Sequence, residues 1–234
     1  MAFDPSKFST KAPKSIPVLL LLDISGSMSE SCGDGGESRS ISKIEALHTA
    51  LRDMIKGFKE AQSLETFIKL SIITFGASAE LHTPLSPISD IKNIPSLHAN
   101  GSTPLGEALS MAKAMIENKD IFKGGDYRPA VVLLSDGMPD SGWEAPLHAF
   151  ISDGRSAKCD RLAIAFGRDA DKDMLEQFIQ GCANPLFYAE DAATLHKVFK
   201  KITMSVSTRI TLQNKNESIN IDAELDIDTE LNKC

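Results

Sequence analysis

Oxygen-bearing side chains follow one short apolar segment at intervals of two residues. Residues 16–22 are all apolar, and Asp23, Ser25 and Ser27 come directly after them, with Gly26 between the serines. Side chains at alternate positions of a tight turn can converge, and glycine lets the backbone bend there without a Cβ clash. One carboxylate and two hydroxyls suit a small hard cation such as Mg²⁺ or Mn²⁺, whereas zinc favours histidine and cysteine. The turn is therefore a candidate metal site.

Two distant residues are candidates for the rest of the coordination shell, because one turn cannot fill an octahedron. Thr103 lies in the segment GSTPLGEAL, and Asp136 lies in the segment LLSDGMPD. Each also has a simpler interpretation. Thr103 is placed to cap a helix that has Pro104 at its first position, and Asp136 with Gly137 is a common turn sequence. Their occurrence together with the serine turn favours the metal site.

The elements that would position these residues begin with four apolar runs. The run at residues 16–22 has no polar face, which is typical of a strand buried on both sides in a parallel sheet. Three later runs have the length and β-branched content of inner strands, at residues 67–75, 130–134 and 161–166.

Amphipathic patterns separate these runs. The clearest lies at residues 41–58, where Ser42 and Glu45 have the spacing of a capping box. Four more segments have helical spacing or boundary signals, at residues 105–116, 143–151, 171–180 and 191–206. Alternating strands and helices predict an α/β fold with a mostly parallel, doubly wound (Rossmann-like) sheet covered by helices on both faces. Loops at the carboxyl ends of its strands are the usual functional site, and both candidate aspartates follow strands.

The predicted domain occupies residues 16–208. We interpret residues 1–15 as a flexible lead-in, and residues 209–234 as either an acidic tail or an edge strand, because apolar and polar residues alternate at 218–228. The polar loop at residues 28–40 is either a solvated excursion or part of the metal site's rim through its acidic residues. These acidic residues are Glu30, Asp34 and Glu37.

Composition narrows the function classes. The 234-residue chain carries a formal net charge of −7, and its basic residues are scattered, which argues against nucleic-acid binding. The longest apolar run, residues 18–22, is far too short to span a membrane, and the amino terminus lacks a secretory signal, so we expect a soluble cytoplasmic protein. The four cysteines have no metal or redox spacing, and reduced thiols are expected.

Sequence motifs of the common enzyme classes are missing. The chain has no phosphate-binding or dinucleotide-binding glycine motif, no paired zinc histidines and no nucleophile elbow. Ser135 precedes Asp136 without an identifiable histidine base. Trp143 is either part of helix packing or an aromatic anchor on a binding face. We therefore predict that the protein has no catalytic residues and is not an enzyme.

The three segments DISGS, STPLGEAL and LLSDGMPD, in this order, resemble the metal-ion-dependent adhesion site of von Willebrand factor A (VWA) domains. The resemblance covers about residues 16–206 and implies the VWA fold. It also implies that hydroxyls of Ser25, Ser27 and Thr103 contact the metal, while Asp23 and Asp136 hold it directly or through water. A cation bound mainly by neutral hydroxyls stays electrophilic and seeks a carboxylate, which an Asp or Glu of a protein partner can supply.

Within that superfamily the chain is similar to the bacterial TerY-like group, through VLLLLDISGSM, KIEALHTAL and GSTPLGEAL. This resemblance implies a role in a tellurite-resistance or stress-response system, in which a kinase or phosphatase encoded nearby is a possible partner. The long insertion between Ser27 and the first helix departs from the usual pattern of the group.

Three functional hypotheses follow. The first is a non-enzymatic module that binds a protein partner through Mg²⁺ or Mn²⁺. The second is a Mg²⁺-dependent hydrolase or phosphoryl-transfer enzyme that uses the same metal to activate water, although no nucleophile, base or phosphate-binding cation accompanies Asp23. The third is self-assembly, in which the acidic segment at residues 222–228 enters the metal site.

Overall fold

The computed structural model describes residues 14–32, 41–62, 66–94 and 96–211. The predicted lead-in up to residue 13 and the acidic segment at 218–228 lie outside these residues, as do Asp34 and Glu37. The division into lead-in, domain and tail stays a prediction. At both predicted borders the regular structure is longer than expected, since the first strand already begins at Lys14 and the last helix continues to Thr211.

The core of the fold is a six-stranded sheet in the order β5-β4-β1-β6-β7-β8. Its strands are β1 (Lys14–Asp23), β4 (Thr66–Phe75), β5 (Ala79–Pro87), β6 (Ala130–Ser135), β7 (Asp160–Phe166) and β8 (Phe187–Ala189). All neighbouring pairs are parallel except β4 and β5, which are antiparallel. A separate two-stranded pair joins β2 (Ser31–Cys32) to β3 (Ile41–Ser42). The predicted mostly parallel α/β fold is confirmed.

Strand β1 lies in the middle of the sheet and is buried on both faces. Its residues alternate between two apolar cores, since Leu20 and Leu22 belong to one and Leu19 and Leu21 to the other. Each fully buried leucine stabilises the fold by about 1.5–3 kcal/mol. A strand that serves two cores needs apolar residues at every position, which accounts for the unbroken run in the sequence.

Five α-helices cover the two faces. They are α1 (Lys43–Ala61), α2 (Leu105–Glu117), α3 (Glu144–Ser152), α4 (Lys172–Phe178) and α5 (Ala192–Thr211). Helices α1 and α5 pack together over one core, and α2, α3 and α4 contribute to the other. The predicted capping box at the start of α1 is present, with both the Ser42 and the Glu45 side chains bonded to backbone N–H groups.

Two strands of the sheet were not predicted. Strand β5 is an edge strand that contains two prolines. Most of its residues are partly exposed, so it lacks the apolar pattern of the inner strands. Strand β8 has only three residues. Both depend on pairing with a neighbouring strand, which a local sequence pattern cannot reveal.

Cys32, Cys159 and Cys182 are free thiols, as predicted, and Cys234 lies outside the described residues. Within the described part of the chain, no helix is both long and apolar enough to cross a membrane.

Candidate metal centre

The candidate site lies where the strand order of the sheet changes direction. From β1 the chain proceeds to β4 on one side and later returns to β6 on the other side of β1. The loops after β1 and β6 therefore diverge and leave a crevice at their carboxyl ends, which is where ligands bind in open α/β sheets. Asp23 is the last residue of β1, and Asp136 directly follows β6.

Asp23 is fully buried, and hydrogen bonds hold both of its carboxylate oxygens. The Ser25 backbone N–H donates to Oδ1 at 2.9 Å, and the Ser135 hydroxyl donates to Oδ2 at 2.6 Å. Burial raises the pKa of the Asp23 carboxyl to about 6; the bonds from Ser135 and Ser25 oppose this rise, and the nearby Asp136 charge adds to it. Ser135, the serine next to Asp136, thus positions a carboxylate.

The serine turn is a short 3₁₀ segment at Gly26–Ser29. The Gly26 N–H donates to the Gly101 carbonyl at 3.0 Å, and a Cβ at Gly26 would lie 3.4 Å from that oxygen. The hydrogen bond joins the turn to the loop before α2, and a side chain at this position would make only an ordinary contact with that loop. Ser25 precedes the turn, and its Oγ lies 3.0 Å from Oγ of Ser27.

Asp136 brings the loop after β6 to the serine turn. Its Oδ1 accepts from the Ser27 hydroxyl at 2.8 Å and from the Ser25 hydroxyl at 3.5 Å. Its other oxygen, Oδ2, lies 2.9 Å from Nζ of Lys43, the first residue of α1. The structure thus brings Asp23, Ser25, Ser27 and Asp136 into one hydrogen-bonded cluster.

Thr103 lies on the loop that Gly101 joins to the turn, and only 7% of it is exposed. Its N–H donates to Oδ1 of Asp140 at 3.3 Å, and its carbonyl accepts from the Asp140 N–H at 2.9 Å. The prediction that Thr103 caps α2 was wrong: Pro104 occupies the N-cap position, and no side chain caps this helix. These two bonds, one to the side chain and one from the backbone of Asp140, anchor the Thr103 backbone just before the helix.

Three residues have roles at the site that the sequence does not predict. The sequence indicates Ser135 only as a potential nucleophile, and it assigns no role at the site to Lys43 or Asp140. Lys43 carried a usable signal, because a cation at the first position of a helix opposes the helix dipole and needs a partner. The sequence gives no such signal for Asp140, since an Asp after Pro139 is typical of an ordinary turn.

The oxygen spacing fits a small octahedral cation. Ligands at the 2.0–2.1 Å distance of Mg²⁺ lie about 2.9 Å apart along an octahedral edge. The Ser25–Ser27 and Ser27–Asp136 oxygen separations are 3.0 and 2.8 Å, and the Ser25–Asp136 separation is longer, at 3.5 Å. Among the described residues there is no group of three His, Cys, Asp or Glu side chains that could hold a metal. The oxygens that converge here belong to two hydroxyls and a carboxylate, and such ligands favour hard cations.

Two aromatic or apolar side chains lie near the loop after β6. Trp143 is partly buried and packs on the core formed with α2, α3 and α4, which favours helix packing over a role as an exposed anchor. Met138 is 70% exposed, two residues after Asp136. The loop after β6 therefore exposes an apolar side chain close in sequence to Asp136.

Several solved structures of other proteins are similar in fold to this chain. Proximal thread matrix protein 1 from the mussel byssus superposes with a TM-score of 0.61 at 17% identity, over 84% of this chain and 49% of that one. A von Willebrand factor type A protein from Catenulispora acidiphila gives a TM-score of 0.63 at 16% identity, over 83% and 43% of the two chains. The pilus adhesin SpaC from Lactobacillus rhamnosus GG gives 0.64 at 15% identity, over 86% and 31%. These likenesses establish a shared fold.

The chain spans about half or less of the length of these three solved proteins. No curated protein matches it significantly. The family profile described as von Willebrand factor type A domain matches residues 18–138, which is just over half of the 234 residues and includes all five candidate ligands. With this match and the shared fold, the chain belongs to the von Willebrand factor type A domain family, whose members are metal-site adhesion and protein-interaction modules.

Proposed function

We propose that this domain is a non-enzymatic protein-binding module that holds Mg²⁺ or Mn²⁺ on Asp23, Ser25, Ser27, Thr103 and Asp136. The observation that carries the proposal is the convergence of the Ser25, Ser27 and Asp136 oxygens, two of whose three separations match the spacing of adjacent octahedral ligands. The structure of mussel proximal thread matrix protein 1 has been solved with zinc in its metal-ion-dependent adhesion site (MIDAS) motif. This supports a metal-binding role for the equivalent loops here.

The donor chemistry explains why this site would bind a partner. Three of its four carboxylate oxygens already accept bonds from groups that are not proposed ligands: both oxygens of Asp23, from the Ser25 N–H and the Ser135 hydroxyl, and Oδ2 of Asp136, from Lys43. Neutral hydroxyls supply much of the remaining shell and donate little charge, so the bound cation keeps its attraction for an outside anion. A Glu or Asp side chain of a protein partner can provide that anion, and the neighbouring exposed Met138 can add an apolar contact.

The same arrangement disfavours the alternative of a Mg²⁺-dependent hydrolase. The Ser135 hydroxyl is fully buried against Asp23, and the buried Lys43 ammonium is paired with Asp136 and Glu30. Neither group is therefore accessible to a phosphate. We expect no phosphate release from p-nitrophenyl phosphate or ATP in Mg²⁺. Release that disappears in Asp23→Ala would overturn the non-enzymatic assignment.

The similarity to the TerY-like group supports a proposal about the cellular system in which the module acts. We propose that it acts in the cytoplasm of a bacterium, in a tellurite-resistance or stress-response system, and that its partner is a kinase or phosphatase encoded nearby. The partner would present a surface Asp or Glu. Genes for such enzymes beside this one, and pull-down of their products that EDTA abolishes, would support this setting.

Mn²⁺ binding followed by electron paramagnetic resonance tests the metal site. The wild-type protein should bind one Mn²⁺, Mg²⁺ should displace it, and Ser27→Ala should weaken binding at least about ten-fold. Ser110→Ala is the control, because it removes an exposed hydroxyl on α2 that bonds only to its own helix. Equal Mn²⁺ binding in the wild type and Ser27→Ala would refute the ligand set.

Water proton relaxation by the bound Mn²⁺ tests for the free coordination position. A short peptide with an amidated carboxyl terminus and one glutamate, at millimolar concentration, should displace a metal-bound water and lower the relaxation rate. The matching glutamine peptide should not, because a neutral amide is a weaker ligand for a hard cation. An equal response to both peptides would argue against recognition of a carboxylate.

A further inference from the structure

Lys43 is tied to the candidate metal site by two ion pairs. Its Nζ lies 2.9 Å from Oδ2 of Asp136 and 3.2 Å from Oε2 of Glu30. Its side chain is only 9% exposed, that of Asp136 is fully buried, and that of Glu30 is 63% exposed. The ammonium therefore lies between a buried carboxylate of the site and an acidic group at its rim.

The surrounding structure holds Lys43 in this place. Its backbone N–H donates to the Glu30 carbonyl at 2.9 Å, and the capping box of Ser42 and Glu45 fixes the start of α1. On the far side lies Gly167, where a Cβ would come within 3.3 Å of the lysine Cε and 3.5 Å of Nζ. The Lys43 side chain thus occupies a defined slot beside Asp136.

Local energetics alone would not put a lysine here. A cation at the first residue of a helix opposes the positive end of the helix dipole, and withdrawing an ammonium from water costs further free energy. The Asp136 and Glu30 carboxylates offset both costs. A residue that breaks a local rule while facing a functional cluster is a candidate for a role in that cluster.

We propose that Lys43 is an internal counter-ion of the metal site, which occupies one oxygen of Asp136 and lowers the affinity of the site for divalent cations. This inference rests on the proposed function, because it presumes that the cluster binds metal. Asp23 and Asp136 are the two acidic residues of the proposed ligand set, and the Lys43 ammonium lies 2.9 Å from one of them. The incoming cation meets a less negative site than the carboxylates alone would form, so its binding is weak and exchangeable.

Mn²⁺ affinity of substituted proteins tests this role. Lys43→Met should bind Mn²⁺ about ten-fold or more tightly than the wild type, because a like charge next to a ligand has been removed. Lys43→Arg keeps the charge and should stay within about three-fold of the wild type. Lys56→Met removes the same charge from an exposed position farther along α1 and should change the affinity less than about two-fold.

Thermal unfolding gives an independent readout. Without metal, Lys43→Met should melt below the wild type, because Asp136 is left buried without its ion pair. Saturating Mn²⁺ should raise the melting temperature of the variant by more than it raises that of the wild type. Lys43→Gln retains a hydrogen-bond donor for Asp136 and should show the same tightening with a smaller metal-free loss. If either variant folds only in Mn²⁺, the metal has replaced the ammonium, which also supports the proposal.

Three results would count against the proposed role of Lys43. They distinguish failure of the counter-ion role from failure of the proposed metal site. If wild type binds Mn²⁺ and both Lys43→Met and Lys43→Gln bind equally or more weakly, Lys43 is merely structural and the counter-ion role is wrong. Failure of both variants to fold in saturating Mn²⁺ also overturns it. If neither the wild type nor the variants bind Mn²⁺, the proposed metal site itself fails.

Discussion

Asp140 and Thr103 are joined by two hydrogen bonds in opposite directions across the site. The Thr103 N–H donates to the Asp140 carboxylate at 3.3 Å, and the Asp140 N–H donates to the Thr103 carbonyl at 2.9 Å. The Ser102 hydroxyl adds a third bond, to the other oxygen of the same carboxylate, at 2.6 Å. The loop after β6 thereby positions the loop before α2, so that two of the proposed ligands, Asp136 and Thr103, depend on one connection.

Asp140→Ala should weaken Mn²⁺ binding about ten-fold, the usual cost of losing a residue that orients a ligand. Its effect on the free energy of unfolding should be small, about 1 kcal/mol, because Asp140 is exposed. Asp90→Ala removes another exposed carboxylate bonded to a neighbouring serine and serves as the control. Unchanged Mn²⁺ affinity in Asp140→Ala would mean that Thr103 does not need this anchor.

Asp23→Asn should make the metal-free protein less sensitive to pH. Because the pKa of Asp23 is raised from 3.8 to about 6, the folded protein binds this proton more tightly than the unfolded chain. The resulting stability is full below pH 4 and is lost as the pH rises to about 6. In EDTA, wild type should therefore lose up to about 3 kcal/mol relative to Asp23→Asn between pH 4 and pH 7.5.

Urea unfolding of both proteins at the two pH values measures this difference, and other groups cancel in the comparison. The same substitution should abolish Mn²⁺ binding, because the amide supplies no charge. A stability difference that does not vary with pH would show that ionisation of Asp23 does not carry this cost.

Gly101→Ala should destabilise the protein and disturb the site together. The Gly101 φ of +74° favours glycine, and an added Cβ would lie 2.3 Å from the Ala77 nitrogen, so the backbone must move. We expect a loss of at least about 2 kcal/mol in urea unfolding and Mn²⁺ binding weakened at least about ten-fold. Gly124→Ala meets nothing within 4 Å and should change stability by less than about 0.5 kcal/mol. Equal stabilities of the two variants would contradict the loop geometry.

Asp160→Ala should be strongly destabilising, because it removes the carboxylate that pairs with a buried arginine. Asp160 Oδ2 lies 2.6 Å from Nη2 of Arg209 near the end of α5, and the two side chains are 7% and 4% exposed. Loss of one partner of a buried ion pair costs about 3–5 kcal/mol. Glu190→Ala breaks an exposed pair with Arg168 at 3.9 Å and should cost less than about 1 kcal/mol. Urea unfolding should separate the two variants clearly; similar losses would contradict the role of the buried pair.

The inner strands and the helices could be predicted because burial requires a characteristic spacing of apolar residues in the sequence. The apolar run that became β1 has no polar face, and α1 places its apolar residues along one stripe. Helix ends were less predictable. Ser42 caps α1 as predicted, whereas Thr103 does not cap α2, since Asp140, 37 residues away, holds its backbone. Edge strand β5, with its prolines and partial exposure, shows little of this spacing.

The amino-acid sequence by itself determined the strand and helix alternation and the residue types at the strand ends, because hydrophobic burial and turn formation act between near neighbours. Tertiary structure alone decided which charges meet. Lys43 contacts Asp136 across 93 residues, and Ser135 donates to Asp23 across 112. Such pairs form only after the sheet has set the order of its strands, and no local period records them.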